Sequence, residues 1–294
     1  MRRVCAAALA ILLLLFASGC GKGEQAEAPL SDRISNADEI VASIRRGLKN
    51  HAKTITVTFS YSSDIFDELN GVIDLWVEAA LAETGEPDEG DYLRYQYGGY
   101  TYTSSYVEND GRLTYTVKLA PDYYCYLSQE EQAAERADEL MKSFGFRPWT
   151  SDAARIRTIY DWICQNVRYD KIHHKNPYYH LGSTAYAALV LNNATCQGYC
   201  VSLYRLLREA GIPCRIVTGT ASDGANAELH AWVIAELDGL WYNLDPTWDA
   251  GAEEYRFFLA GESDFADHVP GGRFMSDEFR AEHPMAGNTY DLSE

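Results

Sequence analysis

Three residues in chain order, Cys196, His230 and Asp245, are the types that together make an activated thiol nucleophile. Cys196 stands where "NNAT" gives way to a run in which Leu203, Leu206, Leu207 and Ala210 recur at helical spacing until "GIP" stops it. Asn192, Asn193 and Thr195 are capping types, so Cys196 falls in the first helical turn. Unpaired N–H groups and the positive end of the helix dipole favour a thiolate there, and the same N–H groups can stabilise an oxyanion. Gly198 is costly inside a helix, by about 1 kcal/mol relative to alanine, which implies close approach by another backbone or a substrate. Cys200 lies one turn deeper and reads as core or as a disulfide partner; its C-x-x-x-C spacing departs from that of C-x-x-C redox sites.

A lone thiol is a weak signal, and its partners lie in "LHAWVIAELDGLWYNLDPTWD". His230 begins an alternating run through Trp232 and Ile234, Asp238-Gly239 makes a turn, and "LWYNL" delivers Asp245 just before Pro246. A hairpin turning there sets His230 nearly across from Asp245, so the carboxylate can orient the imidazole and leave its other nitrogen for the thiol. A slip of one residue would undo this. Each residue alone has a plainer reading: Cys196 as buried filler or half of a disulfide, His230 as a hydrogen-bonded core histidine, Asp245 as a turn former. Trp232, Trp241 and Trp248 read mainly as core, with room for one as a wall of the site. His173, His174 and His180, near Asp170, have no His-x-x-x-His or CxxC partner spacing and read as polar surface, so neither metal nor cofactor is expected.

Several elements must position these groups. "NADEIVASIRRGLKN" is an amphipathic helix capped by Asn36, "TITVTFSY" a half-buried strand, and residues 64 to 82 a helix with Ile65, Leu69, Ile73 and Trp76 near one face. The tyrosine-rich stretch from Tyr92 to Tyr124, broken by Gly98-Gly99 and "ENDG", predicts two or three antiparallel strands whose tyrosines pack across the sheet. Helices follow over residues 128 to 142 and, capped by Ser151 or Asp152, through Val167. The expected organisation is an N-terminal α+β domain at 36–145, of no assignable role, and a catalytic domain at 146–285, with "FGFRPW" as the boundary.

The first residues, "MRRVCAAALAILLLLFASGC", pair two arginines with an apolar run too short to span a bilayer, which takes about 20 residues. This reads as an export signal over 1–19. "FASGC" resembles the lipobox of bacterial lipoproteins, with Ala17 where leucine is commoner, which would make Cys20 the lipidated residue and 20–35 a flexible tether. The expected location is extracytoplasmic, on the bacterial cell membrane. Loss of Arg2 and Arg3 with the signal takes the formal charge from −18 to −20, which disfavours binding to nucleic acid. Of seven cysteines, Cys5 leaves with the signal and Cys20 would be lipidated. With Cys196 free, Cys125, Cys164, Cys200 and Cys214 could form two disulfides or none.

"TCQGYCVSLYRLLREAGIPCRIVTG", "HAWVIAELDGLWYNLDPTWD" and "YRFFLAGESDFADH", preceded by "IYDWICQNVRYD", resemble the transglutaminase-like superfamily in its bacterial exported form. The likeness runs from Asp152 to His268. It implies a papain-like α+β fold, a cysteine-bearing helix packed on an antiparallel sheet. It also implies Cys196 as nucleophile, His230 as general base and acid, and Asp245 as the residue orienting the imidazole. The implied activity is cleavage or exchange of an amide in a protein or peptide substrate, with proteolysis or amidolysis favoured over cross-linking. A surface binding or scaffolding protein retaining the fold is the alternative. Thr195 departs from the family's usual small residue.

Overall fold

The computed structural model describes residues 29–292 apart from 223 and 225. The expected signal, Cys20 and most of the tether lie outside the described residues. Among those residues no helix is long and apolar enough to cross a membrane.

The N-terminal part begins with α1 (Ala37–Lys49), whose Ile40, Ile44 and Leu48 are buried at helical spacing. Asn36 precedes α1 but does not cap it; its side-chain amide donates instead to the Thr58 carbonyl. That carbonyl belongs to β1 (Ile55–Tyr61), which buries Ile55, Val57 and Phe59 in strict alternation. α2 (Leu69–Ala80) starts later than residue 64, because the Ile65 N–H and the Asp64 carboxylate are tied to the Tyr115 hydroxyl. "YLR", expected as strand, is the short helix α3 (Asp91–Arg94). The remaining tyrosine-rich chain makes two strands, β2 (Tyr97–Asn109) and β3 (Arg112–Tyr123), with a bulge between Tyr97 and Tyr100. Asp110 and Gly111 both take positive φ at their connection, as a tight hairpin turn requires. The sheet order is β1-β3-β2, antiparallel throughout, and Tyr106 and Tyr115 meet across it at 5.5 Å.

α4 (Leu127–Phe144) buries Ala133, Ala137 and Leu140 in the second core, so that core begins upstream of residue 146. α5 (Asp152–Asn166), capped by the Ser151 hydroxyl, leads into β4 (Arg168–Tyr169). α6 (Ala185–Leu189) is followed by β5 (Asn193–Ala194), which pairs in parallel with β4 and delivers the chain to α7 (Cys196–Glu209). β6 (Cys214–Ser222), β7 (Ala227–Leu237) and β8 (Leu240–Leu244) then form an antiparallel sheet. α8 (Pro246–Asp249) follows directly, β9 (His268–Pro270) joins the far edge to give the order β8-β7-β6-β9, and α9 (Asp277–Glu282) comes after it.

The fold is α+β, with a central cysteine-bearing helix against an antiparallel sheet. α7 is buried along nearly its whole length, from Gly198 to Leu207, and packs on the sheet face carrying Ile216, Ala231, Val233 and Ala235. The opposite face carries Val217, Trp232, Ile234 and Trp241 in a separate aromatic cluster. All five cysteines among the described residues are free thiols, which answers the disulfide question with none.

Polar ties join the N-terminal part to the second core. The buried Asp91 carboxylate accepts from the Arg215 guanidinium and from the Ile216 backbone N–H, both at 2.9 Å. Gln96 accepts from the Ala185 N–H at 2.7 Å, and the Gln197 side chain, next to Cys196, donates to the Tyr95 carbonyl. The N-terminal part thus props the start of α6 and α7, a role that its sequence alone does not disclose.

Candidate active site

Cys196 is partly buried and sits at the N-terminus of α7. Its position is set by backbone: the Asp170 N–H donates to the Ala194 carbonyl at 2.9 Å, and the Thr195 N–H to the Gly182 carbonyl at 2.8 Å. The expected side-chain cap is absent. Asn192 adopts a left-handed turn with φ 55°, Asn193 pairs in β5, and Thr195 occupies the cap position without bonding to the helix. The Thr195 hydroxyl turns outward to the Gly182 carbonyl at 3.3 Å and the Ser183 hydroxyl at 3.1 Å. With no capping side chain on α7, its first-turn N–H groups stay available to an anion at Cys196. Thr195 is thereby a clamp on the neighbouring loop rather than a cap.

Gly198 is required by a backbone neighbour. A Cβ there would lie 2.4 Å from the Gly182 carbonyl oxygen and 2.8 Å from Ala194 Cβ, both parts of the frame that holds Cys196. Gly198→Ala is therefore expected to lower stability by about 1–3 kcal/mol through overpacking, despite alanine's better helix propensity. Thermal unfolding tests this, and a gain in stability would show that the loop yields freely.

β7 and β8 pair in the anticipated register, ending at Val233 opposite Leu244. The strands then part, His230 staying in register with Gly219 of β6 while the chain after β8 turns into α8. Asp245 heads α8: Oδ1 accepts from the Thr247 and Trp248 N–H groups at 2.9 and 3.3 Å, and Pro246 occupies the first helical position. Oδ2 accepts from His230 Nε2 at 2.7 Å. Cys196 lies close enough to His230 for its thiol to act on the imidazole. The three residues singled out in the sequence are thus brought together at one site.

The electrostatics follow from burial. Desolvation alone would lower the His230 pKa, but hydrogen bonds to Asp245 and Cys196 and the charges they carry outweigh it and push it up to about 10. Asp245 is wholly buried, which favours its neutral form, yet its imidazole donors win and hold its pKa below the usual carboxylate range. An imidazolium between a carboxylate and a sulfur is the state this balance selects at neutral pH.

A fourth residue, absent from the sequence expectation, joins them. His268 has a fully buried side chain, and its Nε2 reaches the same Asp245 Oδ2 at 3.1 Å. It lies 23 residues beyond Asp245 in the chain, in no pattern that alternation or spacing reveals. Trp248 is the tryptophan that walls the site, with its ring 5.6 Å from that of His230 and 4.7 Å from that of His268. Trp232 is buried beside both imidazoles, and Trp241 packs on His283.

An open cleft of about 850 Å³ runs past His230 between Tyr169, Glu228 and Trp248. Burial, and then the nearby Cys196, push the Tyr169 phenol up to about 12, so it faces the site as a neutral hydroxyl. The loop histidines find protein partners: His173 bonds to the buried Asp170 carboxylate at 2.9 Å, His180 stacks on Tyr124, and His174 meets Tyr169. Among the described residues two groups are spaced to hold a metal ion, His230–Asp245–His268 and His51–Cys125–Glu130. In the first, both imidazoles are already bonded to Asp245; in the second, Glu130 accepts from the Tyr92 hydroxyl at 2.6 Å.

Residues 143–246 match the family model of the transglutaminase-like superfamily, a span that contains Cys196, His230 and Asp245 in order. The kyphoscoliosis peptidases of Mus musculus and Homo sapiens are each 29% identical over 141 residues, covering 44% of this chain and 21% of theirs. The chain thus spans about a fifth of the length of the curated relatives it matches. Among solved structures, a TGase aligns with a TM-score of 0.37 and 18% identity, over 52% of this chain and 45% of that one. A candidate cysteine protease from Cytophaga hutchinsonii aligns with a TM-score of 0.33 and 17% identity, over 60% of this chain and 75% of that one.

Proposed function

We propose that the transglutaminase-like segment makes this chain a cysteine acyl-transfer enzyme that cleaves an amide or peptide bond through a thioester. The observation that carries the reading is the Asp245–His230 hydrogen bond beside Cys196 at the uncapped mouth of α7. The Cys196 sulfur, its proton held by His230, attacks the substrate carbonyl carbon. The resulting oxyanion is received by first-turn N–H groups of α7. As the C–N bond breaks, the His230 proton passes to the departing amine, leaving an acyl group on Cys196. His230, now neutral, takes a proton from water as its oxygen attacks the thioester; the acid leaves, and the thiolate and imidazolium are restored. Asp245 keeps the imidazole oriented throughout.

Hydrolysis is favoured over transfer to a second amine, the cleft of about 850 Å³ beside His230 being open to water. The N-terminal apolar run and its lipobox-like junction support a location on the outer side of a cell membrane, with Cys20 as the anchor and protein or peptide substrates.

Incubating the protein with a glutamine peptide, with and without a primary amine, and weighing the products tests the reading. Deamidated or cleaved peptide supports hydrolysis; an amine adduct redirects the reading to transamidation; no product with any acyl donor, and no alkylation of Cys196 faster than that of an ordinary thiol, sinks it. The pH dependence has a defined sign. His230 holds its proton below about 10, so acylation is expected to persist through neutral pH and fall as pH rises through about 10. A decline centred near pH 7 would contradict the proton placement.

A further inference from the structure

We propose that His268 is a positioning residue for the reaction: it acts through Asp245, holding its carboxylate ionised and aligned on His230. The proposal rests on the catalytic reading of Cys196, His230 and Asp245.

Asp245 has no exposed surface, so every lone pair that it orients must be satisfied by protein. Four N–H groups do so: Thr247 and Trp248 on Oδ1, His230 and His268 on Oδ2. The two backbone donors only fix the carboxylate at the head of α8. His268 is the sole partner of Oδ2, among the described residues, that does not itself face the thiol. Because an ionised carboxylate only accepts, His268 must carry its proton on Nε2. Among the described residues its buried Nδ1 has no hydrogen-bond partner, so the ring's polar tie is the one to Asp245.

The fold holds this ring in place. Phe265 stacks on it at 3.9 Å, and Trp232, Trp248 and Phe257 close around it at 5.2, 4.7 and 5.4 Å. His268 opens β9, where it pairs with Ala221 while Pro270 pairs with Gly219. Gly219 is also the partner of His230 in β7, so one β6 residue registers both strands. A Cβ on Gly219 would fall 2.1 Å from the Val269 carbonyl oxygen, so the glycine is what lets β9 close. The charged or titratable groups around His268 are Asp245 and His230 on the site side, with Glu262, Arg280 and His283 lining the cavity of about 430 Å³ behind it.

A ring that merely filled space could be replaced by phenylalanine, which suits the aromatic cage and lacks the donor. The experiment follows alkylation of Cys196 by iodoacetamide across pH in the full chain, beside thermal unfolding, for wild type, His268→Phe, His268→Gln and His268→Asn. Removing the donor leaves Asp245 easier to protonate, so the acid limb of the profile moves to higher pH. His268→Phe is expected to keep the wild-type unfolding temperature, react about 10- to 100-fold more slowly at neutral pH, and shift the acid limb up by roughly one unit. Glutamine, whose amide N–H reaches as far as Nε2, restores the limb; the shorter asparagine does not, and this pair decides the matter if His268→Phe fails to fold. An unshifted limb in both His268→Phe and His268→Asn, or a shift that glutamine does not rescue, overturns the proposal. Failure of the underlying catalytic reading shows itself separately: His230→Ala would then alkylate as fast as wild type.

Discussion

Cys196→Ala is expected to remove amide cleavage altogether within detection, a loss of about 10⁴-fold or more, while leaving the fold intact. The side chain is only partly buried at the edge of the core, so alanine leaves α7 packed through Tyr199, Leu203 and Leu206. His230→Ala is expected to match it in size, because a thiol at this helix mouth without its imidazole has no group to hold the proton or return it to the leaving amine. The double variant should be no worse than either alone, since the two act as one unit. Product mass spectrometry on each variant, with circular dichroism as a check on folding, decides this. Retention of a tenth of the activity in Cys196→Ala would move the chemistry to another residue. Cys200, Cys164 and Cys214 are poor replacements: each is buried, and burial drives each thiol's pKa upward.

Asp245→Asn is expected to lower the rate by about 10⁴-fold with little change in shape, because it inverts the hydrogen bonding of the imidazoles. Oδ1 receives two backbone N–H groups, so the asparagine carbonyl oxygen must take that position. Its NH2 group then stands where Oδ2 stood, facing His230 Nε2 and His268 Nε2. Both rings must become acceptors at Nε2, which moves the His230 proton to Nδ1, the nitrogen left for Cys196. A nitrogen already carrying a proton cannot take one from the thiol. The measurement is the rate of Cys196 alkylation at neutral pH together with turnover. A variant that loses turnover but still alkylates at the wild-type rate would mean that Asp245 acts after the thiol is activated. The same argument fixes the sign for stability. His230, with its pKa raised on folding, contributes stability that is present below its ordinary value and lost as pH rises through about 10. Asp245, with its pKa lowered, contributes stability that is lost as pH falls through its depressed value.

Much of the site follows from sequence because its determinants are local. A helix start after Thr195 puts Cys196 in the first turn whatever the helix packs against. A tight turn at Asp238-Gly239, where both residues take positive φ, sets the β7–β8 register and so brings Asp245 to His230. The helix and strand periodicities that flank the three groups are likewise local patterns, whereas the papain-like class came from the family resemblance. Other features depend on contacts between distant segments. Thr195 is a capping type by composition, but the Gly182–Ser183 loop takes its hydroxyl, and that loop's approach is also what demands Gly198. "YLR" has strand-like neighbours, yet Asp91 is drawn into a helix whose carboxylate binds Arg215 and Ile216, 124 and 125 residues on. His268 shows no periodicity and becomes part of the site only because β9 closes on β6 at Gly219. Helix starts and hairpin turns are chosen by neighbours a few residues apart, so the sequence by itself determined which three residues, Cys196, His230 and Asp245, form the candidate site. The fourth donor, the uncapped helix mouth and the props under α7 are satisfied across the chain, and burial made only the tertiary structure able to decide them.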